Sequence, residues 1–242
     1  MRSIVSIPTL HKPQESAATV ESYKKYFEVR GSSNPLEKAT LAVEGINNAA
    51  DSYWDMIENN LEERKVDPKN MVIYAETTFF PLEDELPIFQ RQTELGNRQS
   101  QLILKLLEQG ARYEPAEDIV PFRQQGRITD VRLKVWLSEL RAKENQHLQE
   151  QRQALGKKLE DEEAKAVEAR DEHVAPKINR TLKEGEIGIL LFGDGHNIEQ
   201  FLDKDIEVIS LRDTLLEARE RVSEVFKELE IVDNSTSPES KG

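Results

Sequence analysis

The sequence predicts an α/β fold: a mostly parallel sheet with flanking helices and a long charged helical insertion. Three observations carry this. Short apolar runs alternate with helical patterns, giving strand–helix–strand–helix–strand, the order that builds parallel sheets. The run from Ile187 to Phe192 is too short for a helix and too apolar to be half exposed, so it reads as a buried parallel strand. From about Ile128 to Leu182 a polar helical pattern continues for roughly 80 Å if unbroken.

Taken in order, Ile4 to Ile7 reads as a first strand closed by Pro8, and Glu15 to Phe27 as a loose helix. Gly31 to Pro35 is a turn, with Pro35 suited to the first turn of the next helix. Leu36 to Leu61 carries Val43, Ile46, Ala50, Tyr53, Trp54, Ile57 and Leu61 at three- and four-residue spacing, an amphipathic helix broken by Asp67-Pro68. Met71 to Ala75 is the second strand. Leu95 to Glu108 is a helix stopped at Gly110. In the long pattern after Gly126, Gly156 offers a break that would make a hairpin. A short helix near Asn197 to Leu202, a strand from Ile206 to Ile209 and a closing helix through Leu215 to Leu229 complete the chain. Residues 1–232 thus form one α/β domain with an arm at about 127–182 inserted, and 233–242 is a polar tail expected to be disordered.

The composition narrows the partners. A net charge of −13 and a pI near 5.0 argue against nucleic acid, whose phosphates need a basic face. No cysteine is present, which excludes disulfides and thiolate chemistry. No signal peptide and no long apolar span are seen, so a cytoplasmic protein with no membrane partner is expected. Phosphate loops, Gly-x-Ser-x-Gly elbows, His-Glu-x-x-His and Gly-x-Gly-x-x-Gly fingerprints are all missing.

Three ionisable residues share one topological position. His11 lies just beyond strand one, Glu76 just beyond strand two, and His196 just beyond the Ile187 strand. The carboxyl ends of parallel strands line the crevice where ligands bind. Two imidazoles and a carboxylate suit a divalent transition metal (zinc, manganese or cobalt) with one position open to water. Without a metal, one histidine serves as general base and Glu76 orients it. Each residue alone also reads as an ordinary loop residue. Arg170 and Asp171, near the end of the long helix, read either as a solvated pair or as an anion holder and a hydrogen-bond partner for His196. His147 and His173 read as surface residues. Leu133, Leu140, Leu148 and Leu155 repeat at about seven residues, either a coiled-coil arm that makes a homodimer or a helix packed on its own domain.

Arg170-Asp171-x-x-x-Ala175, a helix tail, an apolar strand and Gly193-x-x-His196 together resemble the TraB/Tiki superfamily, which includes erythromycin-esterase-like and ChaN-like proteins. Pro8-Thr-Leu-His11 stands where that superfamily has its first Gly-x-x-His, and Tyr74-Ala-Glu76 where it has its strand-end Glu. Pro8 replaces the glycine, Val174 replaces the usual methionine, and no Glu directly precedes His11. The resemblance implies a hydrolase of a peptide, ester or amide bond, metal-dependent or metal-free, acting on a small-molecule or peptide substrate. In it a metal on His11, Glu76 and His196 would activate water, Arg170 would stabilise the developing anion, and Asp171 would fix a histidine tautomer. The alternative is a non-enzymatic interaction protein that keeps the fold and binds a partner through its helical arm.

Overall fold

A computed structural model of the chain describes residues 1–10, 17–141 and 146–235. The fold is the predicted α/β one. Five strands, β1 (Arg2–Thr9), β2 (Met71–Ala75), β3 (Arg112–Tyr113), β4 (Ile187–Gly193) and β5 (Ile206–Ser210), form an all-parallel sheet in the order β3-β2-β4-β1-β5. Among the described residues seven α-helices accompany them: α1 (Ala17–Val29), α2 (Pro35–Glu63), α3 (Leu82–Glu94), α4 (Arg98–Glu108), α5 (Ile119–Arg141), α6 (Gln146–Thr181) and α7 (Arg212–Ser235).

Alternation along each strand divides the core in two, because successive side chains point to opposite faces. Val5 and Ile7, Ile73 and Ala75, and Ile189 and Leu191 face Tyr53, Trp54 and Ile57 of α2, Leu102 and Ile103 of α4, and Leu215 of α7. Ile4, Val72, Tyr74, Leu190 and Phe192 face Val174, Ala175 and Ile178 of α6. α1 packs outside the first layer, with Phe27 against Ala39, Ala42 and Phe226. Among the described residues no helix is long and apolar enough to cross a membrane.

These faces decide where the chain turns. The connections from β1 to β2 and from β2 to β3 run over the α2–α4 face, and those from β3 to β4 and from β4 to β5 over the α6 face. Right-handed crossovers therefore carry the chain one way from β2 and the other way from β4. The two strands are neighbours, so the loops after them diverge and leave a crevice between Glu76 and the Gly193–His196 turn. That is the switch point of an open α/β sheet.

Of the two readings of the arm, rod or hairpin, the structure takes the hairpin, but not with its break at Gly156: α5 (Ile119–Arg141) begins before Gly126, and α6 (Gln146–Thr181) runs through Gly156 unbroken. They run antiparallel, with Thr129 Oγ1 donating to Glu163 at 2.5 Å and Arg132 Nε 2.9 Å from the same carboxylate. The last turns of α6 do not project; Val174, Ala175, Ile178 and Leu182 are core. Leu133 and Leu155 are about half exposed, while the side chains of Leu140, His147 and Leu148 lie outside the described residues. His173 is exposed, as expected of a surface residue.

Two elements were not foreseen, and one was misplaced. β3 has only two residues, too few to show a period, and α3 buries only Glu85 and Phe89. The helix predicted from Leu95 begins at Arg98. Gly96 at φ +81° ends the preceding turn, and the Asn97 side chain accepts from the Ser100 amide at 2.8 Å as its N-cap. At the other end, α7 continues to Ser235, three residues into the stretch expected to be tail, and 236–242 lie outside the described residues.

Candidate active site

Glu76 leaves β2 still paired to the sheet, its amide donating to Leu191 O at 2.8 Å. Its carboxylate is then held from three sides. Gly193 N–H donates to Oε2 at 2.9 Å, and Arg170 Nη2 and His196 Nε2 both lie 3.3 Å from Oε1. Glycine at 193 eases this approach: a Cβ there would sit 3.2 Å from Glu76 Oε2 and crowd the carboxylate. The next residue, Thr77, takes φ +63°, a conformation that β-branched residues rarely adopt.

The Gly193–His196 turn closes with His196 N–H donating to Gly193 O at 3.0 Å, and places the imidazole over Phe192. Asp171, 1% exposed, reaches the ring from α6. Its Oδ1 lies 2.5 Å from His196 Nδ1, and its Oδ2 accepts from Asn197 N–H at 2.7 Å. One carboxylate thus fixes both the ring and the backbone that carries it. A cavity of about 30 Å³, the size of a single water, adjoins His196 between Pro8, Phe192 and Ile198.

Arg170, adjacent to Asp171, is buried rather than solvated. Its guanidinium donates to Glu76, Glu117 and Gln125, with Phe122 5.1 Å below it. The reading of Arg170-Asp171 as a surface pair is therefore overturned: apolar neighbours Val174 and Ala175 turn this face of α6 onto the sheet.

Electrostatics follow from that packing. Burial opposes charge on His196, but the bonds to Asp171 and Glu76 outweigh it and push the imidazole up to about 9. Burial likewise opposes charge on Glu76, yet His196, the Gly193 amide and Arg170 bring it down to about 2. Burial raises Glu117 above the usual carboxylate range against the pull of Arg170. At neutral pH the site holds two cations, His196 and Arg170, laced between carboxylates.

Of the five residues singled out in the sequence, the fold brings four together: Glu76, Arg170, Asp171 and His196. His11 lies outside the described residues. β1 does end at this edge, with Thr9 in register with Gly193, and the buried Thr9 hydroxyl has no hydrogen-bond partner among the described residues. Glu117 was missed. It stands in the loop after β3, its amide bonded to Thr78 O at 3.0 Å, and nothing in Pro115-Ala-Glu-Asp118 marks it as buried.

Of the residues expected to hold zinc, manganese or cobalt, His11 lies outside the described ones, and Glu76 Oε1 and His196 Nε2 stand 3.3 Å apart. Among the described residues no group of three His, Asp or Glu is placed to hold a metal. Both ring nitrogens of His196 face carboxylates, and Arg170 already supplies the positive charge beside Glu76. Comparison of the chain with family models, curated proteins and solved structures finds no match to any of them.

Proposed function

We propose that this chain is a hydrolase of the TraB/Tiki-like type that cleaves an ester, amide or peptide bond with the acid–base groups gathered at this sheet edge. The observation that carries the reading is the His196–Asp171 pair set against Glu76 and Arg170 at the sheet's switch point. A substrate carbonyl docked beside His196 Nε2–H and the Arg170 guanidinium would gain two cationic donors for its developing oxyanion. Water adds to the carbonyl carbon and passes its proton to Glu76. The imidazolium of His196 protonates the leaving group, and the 3.3 Å contact between Glu76 and Nε2 lets the proton return to the ring. Asp171 holds the ring so that Nε2 faces the crevice throughout.

The test is a panel of nitrophenyl esters, anilides and fluorogenic peptides, assayed after chelation. Wild type is expected to turn over at least one class, and His196→Gln and Glu76→Gln to lose about a hundredfold or more in kcat. Full activity in His196→Gln would overturn the assignment, and loss of wild-type activity on chelation would return the metal-dependent form. The second reading, an interaction protein, draws on the half-exposed Val131, Leu133 and Leu155 of the α5–α6 hairpin. A light-scattering mass of two 27.8 kDa chains, halved by Leu133→Glu, is what a homodimer through this arm requires.

A further inference from the structure

Glu76 does not face a flat surface. A cleft of about 670 Å³ runs from Glu76 and Thr77 between α2, α3 and α4, within the usual range for ligand sites. Its floor is apolar, built by Trp54, Phe89 and Ile103, all nearly inaccessible. Its walls carry the amides of Gln92, Asn97 and Gln99. These groups suit a ligand with both an apolar stretch and a hydrogen-bonding carbonyl.

The charges around the cleft set what it refuses. Glu76 stands at one end and Glu85 in the wall, where its carboxylate accepts from the amides of Phe79 and Phe80 at 2.8 and 3.1 Å. Among the described residues the cation of the lining, Arg98, is already shared by Asp55 at 2.5 Å, Glu58 at 3.0 Å and Asp51 at 3.9 Å. Among the described lining residues, an anion entering would meet the carboxylates of Glu76 and Glu85 and a guanidinium already shared with three others.

We infer that this cleft receives the uncharged, amphipathic limb of the substrate, a neutral acyl chain carrying its amide or ester carbonyl to Glu76, and excludes carboxylate-bearing equivalents. The inference rests on the hydrolase reading for its place in catalysis, but binding tests it separately. Isothermal titration with octanamide and octanoate compares one chain length with and without charge. Octanamide is expected to bind the wild-type protein at least about tenfold more tightly than octanoate. Gln92→Trp, at an exposed position on the wall, is expected to weaken octanamide at least about tenfold with an unchanged melting temperature. Gln99→Arg, which adds an uncommitted cation, is expected to raise octanoate affinity about tenfold, and this arm remains informative if Gln92→Trp fails to fold. Octanoate binding as tightly as octanamide, or octanamide indifferent to Gln92→Trp, would overturn the proposal. Octanamide binding in a protein that hydrolyses nothing would support the cleft and remove the hydrolase reading. Ester hydrolysis unaffected by Gln92→Trp would remove the cleft and leave that reading standing.

Discussion

Replacing His196 by glutamine should flatten the upper half of the protein's pH–stability profile. The imidazole rises from its ordinary 6.5 to about 9 because Asp171 and Glu76 hold its charged form against the cost of burial. Such a group binds its proton more tightly folded than unfolded. Its contribution is complete below about pH 6.5, where both states are protonated, and it is lost as pH rises through about 9. The shift corresponds to about 3 kcal/mol, an order-of-magnitude figure that the 6% exposure of the side chain leaves undiscounted. Urea denaturation at about pH 6 and about pH 9.5 measures it, since wild type should lose most of that amount between the two. His196→Gln should show no such loss. Asp171→Asn should likewise show little of this pH-dependent loss, because the strongest force holding the charge is gone while the shape remains. Other groups that titrate in this window cancel in the comparison between proteins. An equal loss in wild type and His196→Gln would refute the argument, and with it the placement of a charged imidazole at neutral pH.

Arg170→Ala should cost about 3–5 kcal/mol in urea denaturation, because it leaves Glu76 and the 3%-exposed Glu117 side by side without their shared cation. Arg170→Lys should recover little of it, one ammonium being unable to reach the three partners of the fork. Gly188→Ala on β4 should cost about 1–3 kcal/mol by overpacking, its Cβ falling 2.9 Å from Ile4 Cγ1 and 3.3 Å from Tyr74 Cε2. A melting temperature equal to wild type would mean that these neighbours can move.

What the sequence disclosed follows from which signals are local. Met71 to Ala75 and Ile187 to Phe192 are apolar runs with clear ends, so Glu76 and His196 could be placed beyond strand ends without knowing the strand order. The pairing of those two strands is not local, and it is what turns two strand-end residues into neighbours 3.3 Å apart. Arg170 and Asp171 sit in a helix whose charge is nearly uniform around its circumference, so no stripe announced that they face inward. Their burial comes from Val174, Ala175 and Ile178 one and two turns on. The hairpin was illegible for a related reason: the charged helical pattern runs on through both helices, and the two glycines that could have marked a break, Gly126 and Gly156, both lie inside helices. Glu117 depends on a loop tied to Thr78 by the amides of Ala116 and Glu117, which no period encodes.

Thr77 shows how the site is held at the expense of the fold. It follows Glu76 directly, is exposed, and adopts φ +63°. A left-handed conformation costs an L-residue about 1–2 kcal/mol, more for a β-branched one. Glycine would remove that strain but add about 0.5–1 kcal/mol of backbone entropy on folding. Thr77→Gly should therefore stabilise the protein by about 0.5–1 kcal/mol, read as a higher urea midpoint with an unchanged slope. The neighbouring Thr78 stays fixed in either case, its hydroxyl donating to Ala75 O at 2.5 Å. Stability and function should then part company. The turn that aims the Glu76 carboxylate at Gly193 and His196 would be held by fewer constraints, so hydrolysis should fall even as the midpoint rises. On the proposed hydrolase reading, this strain serves to position the Glu76 carboxylate. A Thr77→Gly protein that is less stable than wild type would show that the threonine side chain contributes more than its backbone costs. The strain would then carry no functional meaning.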